Sequence, residues 1–316
     1  MKTNIGILIQ GPIISRGRNF LSSVQKDFKT EIYINNLYKI AQKNNCELIL
    51  TTWNDQDASN VEIPGKDIFK FQANLVELCP NLLNNRNSSK YKQFYLIKEG
   101  IEILRKRECD VVIKLRTDQF LDLQMLIDHI NHTEANLGTK IMTLFADSRT
   151  IDSWVDFLFV AKIDSLVSNI DSFINQKEIF SSIHRDFFYH MHRKNLSFFQ
   201  SIVFRLFLPY DAKNFSKKQI YLIKEIWIRN FILMPLGVLE SLEWRGSRFD
   251  LNSLRTFFYG YENYLDFLEE LDNLLWSSPR LSHNFLSLDV LTVFLPGSFA
   301  DNCRRVLSSL KRRIRR

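Results

Sequence analysis

The chain has 316 residues, of which 45% are hydrophobic and 26 are phenylalanine. This composition can fill the core of one large domain or two small ones, and it excludes a largely disordered protein. The formal net charge is +7, but residues 301–316 hold seven basic residues and one acid, so the other 300 residues carry only about +1. A nearly neutral body argues against a nucleic-acid-binding protein.

The N-terminus and the cysteines predict a cytoplasmic location. The first apolar run, residues 5–9, is too short for a signal peptide or a membrane span. The four cysteines are widely spaced and no pair has metal-ligand spacing, so we expect reduced thiols in a cytosolic protein. The apolar segment 221–239 contains three charges, which favours a buried helix over a membrane span.

Apolar runs and helical periodicities alternate along the first 170 residues. This alternation predicts an α/β fold with a layered sheet. We divide the chain into an α/β domain, residues 1–245, and an appended C-terminal helical region, residues 246–316, that ends in the basic tail. The predicted strands are 4–9, 47–53, 67–71, 111–115, 139–146 and 157–161, and the predicted helices are 30–43, 90–107, 123–130, 162–170, 221–239 and 250–276.

The segment Arg116-Thr117-Asp118 follows a short apolar run that is typical of a buried parallel strand. Ligands of open α/β sheets bind beyond the carboxyl ends of the strands. A carboxylate at that position can hold a divalent metal that in turn holds a diphosphate, and Arg116 can orient the carboxylate or neutralise phosphate. The alternative is that Asp118 caps a helix starting near Leu121.

The turn after the first strand, Gln10-Gly11-Pro12, is a second candidate. Glycine and proline there permit a tight turn and a close approach of the backbone to a ligand, and the alternative is an ordinary turn. The chain has neither the glycine-rich GxGxxG of a dinucleotide site nor a P-loop.

Two further groups are ambiguous in the sequence. Glu225 lies inside an apolar segment, where a buried carboxylate needs a partner or a function, and an ion pair with Lys224 or Arg229 is the alternative that we favour slightly. The histidines of residues 184–192 have spacings that are possible for metal ligands, but no known metal pattern is completed, so we expect a structural or surface role.

The motifs together resemble the WavE-type lipopolysaccharide biosynthesis family. The segments that carry the resemblance are spread over residues 4–240, and the order of Gln-Gly-Pro before Arg-Thr-Asp is its most specific part. They are Ile9-Gln10-Gly11-Pro12-Ile13, Thr51-Thr52-Trp53, Lys114-Leu115-Arg116-Thr117-Asp118 and Asp156-Phe157-Leu158-Phe159.

This resemblance implies a glycosyltransferase with a GT-A-like nucleotide-sugar fold. The donor would be a nucleotide sugar and the acceptor a glycan or glycolipid of lipopolysaccharide or capsule. Asp118 would ligate Mg²⁺ or Mn²⁺, and Asp156 or Glu225 would deprotonate the acceptor. The residues implied in nucleotide-sugar binding are Gln10, Gly11, Pro12, Thr52, Trp53 and Arg116.

Two other functions stay open at this point. A strand-end aspartate also serves metal-dependent phosphotransferases, for which Asp147, Asp152 and Asp156 are further candidate ligands. A non-enzymatic membrane-docking module is the other, because the basic tail Arg304–Arg316 suits the anionic inner face of the cytoplasmic membrane. The tail's alternative is a solvated basic end.

Overall fold

The computed structural model describes residues 3–17, 26–72, 88–144, 146–147, 154, 158–174, 183–193, 217–248 and 258–259. Its strands are β1 (Ile5–Gln10), β2 (Ile14–Gly17), β3 (Lys26–Lys29), β4 (Glu47–Trp53), β5 (Ile68–Phe71), β6 (Val111–Arg116), β7 (Gln119–Phe120), β8 (Ile141–Thr143), β9 (Ala146–Asp147), β10 (Phe159–Lys162), β11 (Phe231–Leu233), β12 (Glu243–Trp244), β13 (Ser247–Arg248) and β14 (Phe258–Tyr259). Its helices are α1 (Glu31–Lys43), α2 (Ser88–Lys106), α3 (Leu123–Leu137), α4 (Ile163–Ile174), α5 (Ile183–Arg193), α6 (Lys217–Asn230) and α7 (Leu236–Glu240), and a short 3₁₀ helix covers Gly65–Asp67.

Seven of the strands form one sheet in the order β11-β8-β10-β6-β1-β4-β5. All neighbours pair in parallel except β10, which is antiparallel to both β6 and β8. The predicted α/β class with its layered sheet is confirmed. The sequence indicated the strand at β10, but its direction depends on tertiary pairing.

Helices cover both faces of the sheet, because the central strands are apolar on both sides. One face packs against α2, α4, α5 and α6, and its core includes Leu8 of β1 and Val112 of β6. The other packs against α1, α3 and α7, and its core includes Ile7 and Ile113. The apolar stripe predicted on α2, residues Phe94, Ile97, Ile101 and Leu104, lies in the first core.

The segment 221–239 differs from the prediction of one continuous helix. The helix α6 ends at Asn230, whose side-chain amide donates to the carbonyl of Ile226. Phe231–Leu233 then extends as β11 beside β8, followed by Pro235 and the short helix α7. Apolar runs of this length do not distinguish a buried helix from a buried strand, and here sheet pairing decides.

The C-terminal region is described in part. The predicted helix 250–276 is wrong at Phe258–Tyr259, which form β14 and pair with β9. The remainder of that segment and the basic tail lie outside the described residues, so the domain division at residue 245 stays a prediction. Within the part of the chain that the structure describes, no helix is long and apolar enough to cross a membrane.

Candidate functional site

The centre of the sheet contains a topological switch point between β1 and β6. From β1 the chain runs outward to β4 and β5, and it then returns to place β6 on the other side of β1. Open α/β sheets bind ligands in the crevice at such a point. Gln10 pairs in register with Thr51 on one side and with Arg116 on the other. The three side chains therefore lie on the same face of the sheet, at the carboxyl ends of their strands.

The turns after β1 and β6 are locked together at this crevice. Gly11 donates its N–H to the carbonyl of Thr51 at 3.2 Å, and Thr117 donates its N–H to the carbonyl of Gln10 at 3.2 Å. The hydroxyl of Thr117 donates to the carbonyl of Pro12 at 2.6 Å. Gly11 has φ +137°, and a Cβ there would lie 2.8 Å from Thr117 Oγ1. Only glycine therefore fits this turn without strain.

Buried polar atoms without partners lie at the carboxyl ends of the same strands. Within the described residues, Gln10 Oε1 and the hydroxyls of Thr51 and Thr52 are buried and make no hydrogen bond. A buried polar atom without a partner is destabilising by about 1–3 kcal/mol. These atoms therefore indicate a ligand site at the carboxyl ends of β1 and β4. Trp53 ends β4 half-buried beside these threonines.

Asp118 lies at the carboxyl end of β6, as predicted, but its side chain is only 1% exposed. Arg116 donates to Oδ1 from Nε at 3.0 Å and to Oδ2 from its Nη2 at 3.1 Å. Ser15 Oγ and Arg245 Nε each donate to Oδ2 at 2.8 Å. Burial alone would raise the pKa of Asp118, but the Arg116 guanidinium, the Ser15 hydroxyl and the Arg245 charge outweigh it and lower that pKa.

The helix-cap alternative for Asp118 is wrong. The helix α3 begins at Leu123, and its N-cap is Asp122, whose carboxylate accepts a hydrogen bond from the N–H of Met125 at 2.9 Å. Asp118 instead precedes β7, which pairs with β12 in a small antiparallel sheet.

Sequence reasoning missed Arg245, which this small sheet brings to Asp118. Arg245 and Gly246 connect β12 to β13 with φ values of 49° and 71°. A two-residue hairpin loop with positive φ at both positions usually contains Asn, Asp or Gly, so an arginine with φ +49° is uncommon. The N–H of Arg245 also donates to the carbonyl of Asp118 at 3.0 Å. In the sequence, the feature that could have indicated this hairpin loop is the Arg245-Gly246 pair after Trp244.

The helix α1 anchors the hairpin that presents Arg245. The Tyr33 hydroxyl donates to Glu243 Oε1 at 2.7 Å and accepts the N–H of Gly246 at 3.0 Å. Burial, and then the hydrogen bond to Glu243, raise the pKa of Tyr33 to about 12. The hydroxyl therefore stays protonated and holds the hairpin in place across the physiological pH range.

The donor set around Asp118 does not fit Mg²⁺ or Mn²⁺. These ions need carboxylate and other oxygen ligands with lone pairs directed at the metal. Both oxygens of Asp118 instead accept hydrogen bonds from guanidinium or hydroxyl groups. Among the described residues, no three His, Cys, Asp or Glu side chains are grouped to hold a metal ion.

Of the two predicted general bases, the structure describes only Glu225, whose contacts are made within its own helix. Glu225 accepts hydrogen bonds from Arg229 on the same helix, at 3.0 and 2.9 Å. The ion-pair alternative is thus confirmed, and α6 leads into the edge strand β11, three strands away from β6. A catalytic role for Glu225 stays a prediction. Asp156 lies outside the described residues.

The predicted structural role of the histidines holds where the structure describes their contacts. His190 is buried on α5, its Nε2 lies 2.7 Å from Ser172 Oγ, and its ring packs against Phe173 and Phe187. The side chain of His192 lies outside the described residues.

Comparison with known proteins gives only remote likenesses. No protein-family profile and no curated protein matches the chain. Solved structures that resemble it include a cytidylyltransferase from Leptospira borgpetersenii, at 15% identity, a TM-score of 0.33, and coverage of 55% of this chain and 66% of that chain. They also include a mannose-1-phosphate geranyltransferase from Thermus thermophilus, at 10% identity, a TM-score of 0.32, and coverage of 59% and 67%.

The chain spans slightly less than two thirds of the length of the first of these structures. Such low identities and TM-scores carry no functional information, and the WavE-type resemblance rests on the sequence motifs alone. We therefore infer function from the chain's own residues.

Proposed function

We propose that this chain is a glycosyltransferase that moves a sugar from a nucleotide-activated donor to a surface glycan, such as lipopolysaccharide core, O-antigen or capsule. The observation that carries the proposal is the in-register set Thr51, Gln10 and Arg116 at the switch point, with the Gly11 turn beside it. The order of the Gln-Gly-Pro and Arg-Thr-Asp motifs, which resembles the WavE-type family, supports the same activity.

The polar groups of this edge suit a nucleotide sugar. Gln10 Oε1 is a hydrogen-bond acceptor, and the Thr51 hydroxyl can both donate and accept, which matches the hydroxyl and amide groups of a nucleoside. The Gly11 turn allows backbone to approach the ligand closely, and Arg116 presents a permanent positive charge to a diphosphate. Pro12, Thr52 and Trp53 complete the proposed nucleotide-sugar pocket.

The reaction breaks the bond between the anomeric carbon and the diphosphate oxygen, and it forms a bond from that carbon to an acceptor hydroxyl oxygen. The leaving diphosphate gains negative charge as the bond breaks, so a cation fixed beside it lowers the barrier. The acceptor proton passes to a base, for which Asp156 and Glu225 remain our candidates.

The alternative of a metal-dependent phosphotransferase receives less support. That chemistry needs several carboxylates around the metal at Asp118, whereas the partners observed there are guanidinium groups and a hydroxyl. A cytoplasmic enzyme held at the inner membrane face by the Arg304–Arg316 tail is the setting that we propose for the transfer.

A thermal-shift screen of nucleotide sugars tests the proposal. Ligand present at 100 times its Kd stabilises the folded state by about 2.7 kcal/mol, which gives a shift of several degrees. We expect one nucleotide class to shift the melting temperature, and the matching sugar nucleotide to release its nucleoside diphosphate when an envelope glycan is added. Absence of any shift across the uridine, guanosine, cytidine, thymidine and adenosine diphosphate sugars would remove the proposal.

A further inference from the structure

A second buried carboxamide, besides that of Gln10, lies at the carboxyl end of β6. Gln119 is the first residue of β7 and is fully buried. Its Oε1 accepts the backbone N–H of Arg116 at 3.0 Å, which closes the turn that follows β6. Because a backbone N–H can donate only to the amide oxygen, this hydrogen bond assigns the oxygen and the nitrogen within the carboxamide.

The nitrogen of the Gln119 carboxamide has no hydrogen-bond partner. Nε2 is buried and makes no hydrogen bond, although it carries two N–H groups. Most buried side-chain donors in folded proteins are satisfied, and an unsatisfied donor destabilises the fold. The oxygen alone is enough to hold the N–H of Arg116, so the turn does not account for the buried nitrogen.

The side chain of Gln119 lies on the face of the small sheet that is opposite to α1. Successive residues of a strand point to opposite faces, and the ring of Phe120 stacks on Tyr33 of α1 with centroids 6.1 Å apart. The Gln119 carboxamide instead binds the backbone of Arg116, whose own side chain is 21% exposed. The amide therefore lies just below the solvent-exposed part of the proposed donor site.

Two unpartnered amide atoms of opposite kind lie on the two sides of β6. Gln10 on β1 has an acceptor oxygen without a partner, and Gln119 has a donor nitrogen without one. Successive backbone N–H groups of a strand point in opposite directions, and Thr117 donates to β1, so the Arg116 N–H and the amide it binds lie on the other side of β6. A ligand that binds both amides must therefore extend across the end of β6, as an elongated nucleotide sugar does.

We propose that Gln119 is a binding residue of the donor site and that its Nε2 donates a hydrogen bond to an oxygen of the bound nucleotide sugar. The acceptor is a phosphoryl oxygen or a hydroxyl of the transferred sugar, because both accept hydrogen bonds from an amide N–H. The donor site then continues past β6, on the side away from Gln10. This inference rests on the proposed function for the identity of the ligand.

The informative variant is Gln119→Glu, because it keeps an oxygen for the Arg116 N–H and replaces only the Nε2 donor. Gln56→Glu is the matched control, since it adds the same charge near the turn after β1. Gln56 Oε1 likewise accepts a backbone N–H, that of Ile13 at 3.0 Å, but its Nε2 already donates to Asp55 within the protein. Gln119→Met is a second variant that removes the donor without adding a charge.

Titration calorimetry on the full chain measures binding of UDP-glucose, GDP-mannose, CDP-glucose, dTDP-glucose and ADP-glucose, each beside its nucleoside diphosphate. We expect Gln119→Glu and Gln119→Met to weaken binding of the preferred sugar nucleotide about fivefold or more, and Gln56→Glu to stay within about twofold, because only the Gln119 variants remove an N–H that the ligand uses. An equal loss for the nucleoside diphosphate supports a phosphoryl acceptor, and a loss confined to the sugar nucleotide supports a hydroxyl of the sugar.

Other outcomes overturn the inference. Wild-type affinity in Gln119→Met overturns it and leaves the proposed function, because the donor then binds without this N–H. Absence of binding to any of the five sugar nucleotides by the wild-type chain removes both. A loss of the same size in Gln56→Glu and Gln119→Glu, with wild-type affinity in Gln119→Met, identifies charge as the cause and overturns the hydrogen bond. Should Gln119→Glu fail to fold, Gln119→Met decides by the same criteria.

Discussion

At the residue scale, the site depends on two positions where the local geometry permits little change. Gly11 has a backbone conformation that residues with a side chain rarely adopt. Asp118 is a buried anion that forms ion pairs with two arginines. The sequence indicated both residues through their place after apolar strands. It did not indicate Arg245, because that residue is 127 positions from Asp118 and only the fold brings the two together.

Gly11→Ala should destabilise the fold by about 1–3 kcal/mol and weaken nucleotide-sugar binding at least tenfold. The new Cβ would lie 2.8 Å from Thr117 Oγ1, and the backbone at φ +137° would be strained. Gly65→Ala is the control, because no atom lies within 4 Å of the Cβ it would add, and it should change stability by less than about 0.5 kcal/mol. Urea denaturation measures both, and equal stabilities would contradict the locked turn.

Asp118→Asn should lower the free energy of unfolding by about 3 kcal/mol at neutral pH, because two largely buried guanidinium groups lose their ion pairs with this carboxylate. The sequence alone suggested a polar strand end, where this substitution would leave folding almost unchanged. Donor turnover should fall by about two to four orders of magnitude as the arginines lose their fixed positions. A variant as stable and active as wild type would contradict this role.

The stability difference between wild type and Asp118→Asn should depend on pH. The folded-state pKa of Asp118 is lowered, so its stabilising effect is complete above the ordinary carboxyl pKa of about 3.9 and is lost as pH falls through the folded value. The difference in unfolding free energy between wild type and Asp118→Asn should therefore shrink below about pH 4. A difference that is constant from pH 7 to pH 3 would indicate that the carboxylate charge is not what stabilises the cluster.

At the element scale, periodicity predicted the helices and the central strands well, because their apolar patterns reflect burial. The helix α1 and the strand β4 begin or end within a residue of the expected bounds. Prediction failed where pairing overrides pattern, as in β11 within the expected helix 221–239. The predicted helix 123–130 was also too short, because α3 continues to Leu137 through a polar stretch without apolar periodicity.

Asp122→Ala should destabilise the chain by about 1 kcal/mol through loss of the α3 cap, with little effect on donor binding. Asp122→Asn should restore most of that stability, because asparagine caps helices about as well as aspartate. Thermal denaturation of both variants checks this, alongside donor affinity. If Asp122→Asn is as destabilised as Asp122→Ala, the cap does not account for the effect.

At the scale of the whole molecule, the order of the strands places the candidate site, and we propose that the basic tail sets where the protein works. The alternation of strands and helices was enough to predict an α/β sheet, and Gly11 and Asp118 each follow a predicted strand. The structure places the turns that contain these two residues next to each other. The small sheet that delivers Arg245 could not be predicted, because two-residue strands carry no periodic pattern.

Deleting residues 301–316 should weaken binding to anionic lipid vesicles, most strongly at low salt, because the segment carries a net charge of +6. Vesicle sedimentation measures the effect, with neutral phosphatidylcholine vesicles as the control. Activity on a soluble acceptor should be largely retained by the truncated chain. Equal binding of both chains to anionic vesicles would exclude a membrane role for the tail.

Hydrogen–deuterium exchange with a nucleotide sugar tests the central claim most directly, because it reports both that the donor binds and where it binds. We predict slower exchange in the peptides that contain residues 10–13 and 116–119, on the two sides of the β1–β6 switch point. Peptides of α6, which leads into the far edge strand of the sheet, should not change. Slower exchange confined to α6, or no change anywhere at saturating nucleotide sugar, would contradict a donor site at this crevice.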